Sequence, residues 1–147
     1  MITPLNKWKE ILLMKIDFFL LPKDEVITIS PKANMRQALD LIENKYFKAI
    51  PIIDDEGKYV GTLTEGDFLW KMKETAGLSF DNMHEVFVCD IELNVHNITV
   101  SINADMEDML ALAAEQNFVP VTNDNDVFLG IIRRKDIIAY YIRNITD

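Results

Sequence analysis

Two segments of this chain end on a carboxylate just beyond what reads as a strand-to-helix turn. They are Gly61-Thr62-Leu63-Thr64-Glu65-Gly66-Asp67 and Gly130-Ile131-Ile132-Arg133-Arg134-Lys135-Asp136. The first backbone N–H groups of a helix have no partner within it, and the helix dipole adds partial positive charge, so such a turn favours an anion. A first-turn carboxylate, Asp67 or Asp136, can also accept both hydroxyls of a ribose diol. It can equally close a capping box on the residue at the helix start, worth about 1 kcal/mol. With Thr64 available as the cap, the first segment leaves both roles open. The second keeps Asp136, replaces the hydroxyl with Arg133, and adds Arg134 and Lys135. The dipole disfavours three cations there, whereas a nearby phosphate would favour them. A solvated charge run on an acidic protein is the plainer alternative.

The segments are parts of a longer repeat. Thr28-Ile29-Ser30, Ala38-Leu39 and Ala49-Ile50-Pro51-Ile52-Ile53-Asp54 precede the first. Thr99-Val100-Ser101, Met109-Leu110 and Phe118-Val119-Pro120-Val121-Thr122-Asn123 precede the second. The early landmarks are 71 positions apart and the later ones 69, so two residues separate the copies in length, near 45–48. A long period seen twice means a duplicated domain and not a solenoid. Each copy is too small to be comfortable alone, and two copies sharing a face create paired clefts about a pseudo-twofold axis.

Composition narrows the classes. The 147 residues are 49% apolar, enough for a core, and carry a net charge of −9. DNA and RNA are poor partners for such a chain, since phosphate neutralisation drives their binding. Cys89 is the one cysteine; it cannot form an internal disulfide, which fits a reducing, cytoplasmic setting, and it reads as a small buried hydrophobe before it reads as a nucleophile. His84 and His96 lack partners at metal-ligand spacing, so no metal is expected. The apolar stretch 11–21 is interrupted by Lys15 and Asp17, too short to span a bilayer, and without a small-residue cleavage site.

The elements that must position these residues follow from periodicity. Residues 8–20 read as a helix or extended lead-in, and 25–30 as a β-branched strand. Asn34 can cap a helix over 35–45, with Met35, Ala38, Leu39 and Ile42 on one face. Strand 49–53, a turn at 54–57, strand 59–63 and a helix over 64–72 complete the first copy. The second predicts strand 98–100, a helix over 106–115 capped by Asp105, strand 118–122, a turn at 123–126, strand 127–132 and a helix over 134–142. The fold class is α+β, two β-α-β-β-α repeats. The domain plan is an N-terminal segment 1–24, repeat one 25–72, a packed connector 73–97 with a short helix after Ser79, and repeat two 98–147.

This order, with Ala-Ile-Pro-Ile-Ile-Asp ahead of Gly-x-Leu-Thr-x-x-Asp, resembles the cystathionine-β-synthase (CBS) domain, here as a tandem CBS-domain pair or Bateman module, over about 26–140. The resemblance implies clefts that bind adenine nucleotides, a dimer of pairs, and sensing without catalysis. By the family pattern one cleft joins Arg133, Arg134 and Asp136 to Val26, Ile27, Thr28 and Lys48, Ala49, Ile50, with Lys48 at phosphate. The mirror cleft joins Thr64 and Asp67 to Val100, Ala104, Phe118 and Val119, where the Lys48 equivalent is Asn117 or Phe118. The Arg133 cleft ranks first.

The expected function is a regulatory module that senses AMP, ATP or cyclic di-AMP, has no cofactor, and acts in trans on an unidentified partner protein. Candidate contacts are the acidic surface and the connector around 80–88. A homodimer is expected from apolar helix faces and from Tyr140, Tyr141 and Ile142. Residues 1–13, with Trp8, Ile11, Leu12 and Leu13 as an apolar stripe, are expected to be dispensable for the ligand. The rival readings are a dimerisation module without ligand and a small enzyme. For an enzyme no nucleophile–base pair, metal site or facing carboxylates are visible.

Overall fold

The computed structural model describes residues 9–45 and 48–146. The chain divides into two compact units, Ile27–His96 and the combination of Met1–Val26 with Asn97–Asp147.

In the first unit, helix α1 (Met35–Lys45) packs against the antiparallel pair β2 (Ala49–Ile53) and β3 (Tyr59–Thr64), which leads into α2 (Glu65–Glu74). The Asn34 side chain accepts from the Gln37 N–H while the Gln37 side chain accepts from the Asn34 N–H, both at 2.9 Å, a reciprocal cap that fixes the start of α1. Met35, Ala38 and Ile42 are buried against Ile50, Ile52, Leu63 and Phe68, as the period of the helix requires.

The expected strand over 25–30 is reduced to a single parallel bridge between Ile29 and Ile52, preceded by a 3₁₀ turn at Lys23–Glu25. Pro31 has no N–H to extend the ladder, and the Ser30 hydroxyl accepts from the Lys32 N–H, turning the chain away. The connector is packed, as its apolar run implies. Met35 N–H donates to the Val86 carbonyl at 2.7 Å and Val88 N–H to the Ala33 carbonyl at 2.8 Å, with Met83, Val88 and Ile91 buried. Its short helix is a 3₁₀ turn at Met83–Glu85. Cys89 is exposed, contrary to the buried hydrophobe expected of it, because the backbone bonds of Val88 and Cys89 to Ala33 and Pro31 turn the buried valine inward and its neighbour outward.

The second unit holds a four-stranded sheet in the order β1-β6-β5-β4, from β1 (Leu21–Pro22), β4 (Val100–Ser101), β5 (Phe118–Thr122) and β6 (Phe128–Arg133), with helices α3 (Met106–Glu115) and α4 (Arg134–Thr146). The expected strand over 98–100 starts later because the Gln116 side chain takes both backbone groups of Ile98, leaving none for a ladder. Asp105 occupies the N-cap position of α3 but its side chain makes no capping bond; with Glu107 and Asp108 it contributes only negative charge at that helix end. Of the N-terminal stripe, Ile11 is buried, Leu13 is exposed, and Trp8 lies outside the described residues. Helix at 9–12 is followed by a 3₁₀ turn at Ile16–Phe19, whose Ile16 and Phe19 join the core of Met106, Met109, Val119, Val121 and Ile132.

The duplication is visible in the register. Ile50 pairs with Leu63 and Ile52 with Gly61, with a bulge before Ile53; Val119 pairs with Ile132 and Val121 with Gly130, with a bulge before Thr122. Both hairpins turn on one side-chain oxygen, Oδ1 of Asp54 or of Asn123, that accepts two backbone N–H groups. The positive φ each turn needs falls on Gly57 in one copy and on Asp126 in the other.

The segments that lead into the two copies are exchanged. The lead-in of the second copy bridges Val95 to Thr62 on β3, while the lead-in of the first pairs Leu21 with Ile131 on β6. Thr62 and Ile131 are equivalent positions of the repeat.

Candidate functional site

Each x-Pro strand is tied to the start of its helix. The Glu65 N–H donates to the Lys48 carbonyl at 3.3 Å, and the Arg134 N–H to the Asn117 carbonyl at 3.0 Å. Each turn is thereby held at the end of its hairpin, with the residue at the helix start and the carboxylate three positions on close together. Their chemistry then diverges.

In the first copy Asp67 is 1% exposed. Oδ2 accepts from the Thr64 N–H at 2.8 Å and from the Thr64 hydroxyl at 3.0 Å. Oδ1 accepts from the Asn94 backbone N–H at 3.1 Å and from its side-chain amide at 3.0 Å. Four donors satisfy this carboxylate within its own unit, and the two from Thr64 are those of the capping role. A polar cavity of about 340 Å³ lies beside it, lined by Trp70, Lys71, Glu74, Asp90 and Glu92 as well as Asp67 and Asn94. Its carboxylates do not favour a phosphate.

In the second copy Arg133 donates to Asp136 through Nε at 2.7 Å and Nη2 at 3.2 Å, a two-point ion pair. The two side chains are 36% and 35% exposed. Solvent therefore reaches both partners, and a pair of this kind is worth only about 0–1 kcal/mol, so its hydrogen bonds can be exchanged at low cost. Arg134, expected at phosphate, donates instead from Nε to the Ala113 carbonyl at 2.7 Å and from Nη2 to the Ala114 carbonyl at 3.3 Å. Its guanidinium thus satisfies carbonyls at the C-terminal end of α3, where the dipole favours a cation. Lys135 is exposed.

A cavity of about 330 Å³ adjoins the Arg133–Asp136 pair, with Phe18–Leu21 along one side and Ala139, Tyr140 and Arg143 along the other. Phe18, Phe19 and Tyr140 form an edge-to-face triad with centroid separations of 5.1–5.5 Å. No position before Val26 was expected in a site. The signal that could have found Phe18 is the lead-in exchange, which follows from no periodicity in the sequence.

The remaining sequence candidates fall into two groups. Ile50 and Val119 are fully buried and Val100 nearly so; their side chains belong to the cores, leaving only backbone groups for a ligand. Val26, Ile27, Thr28, Ala49, Ala104 and Phe118 are partly exposed, and Lys48 is exposed. Thr28, with Ser30, Ala33 and Gln37, borders an open groove of about 480 Å³ in the first unit. Among the described residues no group of His, Cys, Asp or Glu could hold a metal ion, and no helix is long and apolar enough to cross a membrane.

The CBS domain family model matches residues 17–74 and 88–143. An inosine-5'-monophosphate dehydrogenase of Methanocaldococcus jannaschii is 29% identical over 114 residues, 78% of this chain, which spans about a fifth (21%) of that enzyme. Among solved structures, CbpB in complex with c-di-AMP superposes with a TM-score of 0.82 at 24% identity, covering 98% of this chain and 97% of that one. The c-di-AMP complex of Listeria monocytogenes CbpB gives 0.75 at 19% identity, covering 90% and 98%. CBSX2 in complex with AMP gives 0.67 at 20%, covering 88% and 97%. With two matched regions spanning most of its length, and the same strand register in both, the chain belongs to the CBS domain family.

Proposed function

We propose that this chain is a regulatory module that binds an adenine nucleotide and passes its occupancy to a partner protein in trans. The observation that carries the reading is the Arg133–Asp136 pair. It is the one of the two equivalent strand-to-helix turns whose carboxylate is accessible and lies beside a cation. An incoming phosphate takes guanidinium donors of Arg133, and a ribose diol donates to the Asp136 carboxylate released from it. The solved relatives bound to AMP and to c-di-AMP support the adenine class. Ligand then shifts a population of conformers by as much as its affinities for them differ.

Calorimetry of the purified chain with AMP, ATP and cyclic di-AMP tests this. Saturable binding of one of them, weakened at least tenfold by Arg133→Ala, is expected. No heat and no thermal shift with any of the three would end the nucleotide reading and leave the dimerisation module.

A homodimer is part of the proposal. Leu69 on α2 and Ile138 on α4 are equivalent positions of the repeat, and they are 66% and 49% exposed, with Trp70 beside Leu69 at 48%. Apolar side chains set outward at the same place in both copies suit a second copy of this chain. Sedimentation at micromolar concentration should give twice 17 kDa.

A further inference from the structure

The aromatic triad beside the ion pair has a feature that core packing does not require. Phe19 is buried and Tyr140 half-buried, but Phe18 is 53% exposed although it sits in edge-to-face contact with both. Phe18 lines the same 330 Å³ cavity as Arg133, Asp136 and Arg143. That volume lies in the range of small-molecule sites. An open aromatic wall next to two guanidinium groups and an accessible carboxylate matches one ligand chemistry: a planar ring joined to a polyol and an anion. The ring gains contact area on Phe18, the anion meets the arginines, and the diol meets Asp136.

We infer that the N-terminal lead-in is part of the ligand site, with Phe18 as the stacking wall for the base of the nucleotide bound at Arg133 and Asp136. The inference rests on the nucleotide reading above and adds the residue that recognises the base. The lead-in is anchored for this purpose. Leu21 and Pro22 pair with Ile131 and Gly130, on the strand that ends at Arg133, so Phe18 and Arg133 are held by one sheet. The Tyr140 hydroxyl reaches Met14 Sδ at 3.9 Å, which ties the preceding turn to α4 as well.

Three probes separate base from phosphate: AMP, cyclic di-AMP and ribose 5-phosphate, which lacks a base. Phe18→Ala should weaken the better nucleotide about tenfold, the low end for loss of one stacked base, and leave ribose 5-phosphate unchanged. Phe18→Tyr should bind as the unaltered chain does, and Arg133→Ala should weaken all three. If Phe18→Ala fails to fold, Phe18→Leu keeps the apolar volume without the ring and should show the same selective loss. Nucleotide affinity unchanged in Phe18→Ala but lost in Arg133→Ala overturns the stacking role while the nucleotide reading stands. Equal losses for nucleotide and ribose 5-phosphate overturn it too, since Phe18 would then only shape the site. Failure of the unaltered chain to bind any nucleotide overturns both.

Discussion

Asn94 gives both its backbone N–H and its side-chain amide to a single oxygen, Oδ1 of Asp67, at 3.1 and 3.0 Å. Asn94 immediately precedes Val95, which bridges to Thr62, as Leu20 precedes Leu21, which pairs with Ile131. The two residues thus occupy equivalent places in the exchanged lead-ins. A leucine side chain has no donor, so Asp136 is not sealed as Asp67 is, and Arg133 serves it instead. Asn94 in place of leucine, together with Thr64 in place of Arg133, distinguishes the buried carboxylate from the accessible one.

Asn94→Ala should therefore destabilise the protein by about 1–2 kcal/mol, since a donor is withdrawn from a buried carboxylate while the backbone bond remains. Asn94→Asp should cost more, because it sets a second negative charge against Asp67. Urea unfolding with an unchanged slope reads both; equal stability of Asn94→Ala and the unaltered chain would show that the side-chain bond contributes nothing net.

The two repeat glycines should respond differently to alanine. At Gly130, φ is +153° and a Cβ would lie 2.1 Å from the Leu21 carbonyl oxygen, a backbone atom of the paired lead-in. At Gly61 the nearest obstacle is Leu93 Cδ1 at 2.7 Å, the end of a flexible side chain. Gly130→Ala must displace β1 or strain β6, and should cost more than the ~1–3 kcal/mol typical of overpacking; Gly61→Ala should fall within or below it. Comparable melting temperatures for the two variants would refute the difference.

Arg134 should behave as a structural residue. Its fork on the Ala113 and Ala114 carbonyls predicts that Arg134→Ala costs about 1 kcal/mol of stability, and that lysine, a point donor, restores only part of it. Nucleotide affinity should stay within a few-fold of the unaltered chain once both are compared folded. A loss as large as that of Arg133→Ala would return Arg134 to the phosphate.

Local chemistry made much of this fold legible. The two x-Pro runs, the Asp54 and Asn123 turns and the Asn34 cap act within a few residues, so periodicity and turn residues suffice to find them. The failures are non-local or competitive. Gln116 reaches 18 positions back to take the backbone of Ile98, which propensity scores as strand. The capping of Asp67 looked like a local choice between cap and ribose, yet Asn94, 27 positions away, completes it. Spacing groups Arg134 with Arg133 and Lys135 but does not show its carbonyl partners on α3, 20 and 21 positions away. The place of Phe18 beside the Arg133–Asp136 cavity is not legible either, because it depends on which strand the lead-in joins.

Asp136→Asn separates ligand binding from helix start most cleanly. Asparagine keeps one carbonyl acceptor for Arg133 but loses the charge and one point of the fork. A pair about one-third exposed contributes no more than about 1 kcal/mol, so melting should fall by only about 2–4 °C, and by less at high salt, where screening already weakens the pair. A ribose diol, by contrast, loses a charged acceptor, and nucleotide affinity should drop about tenfold or more. Scanning calorimetry and binding calorimetry on the same sample decide between the roles. A large fall in melting temperature with unchanged affinity would make Asp136 what Asp67 already is, a carboxylate that holds its own helix start.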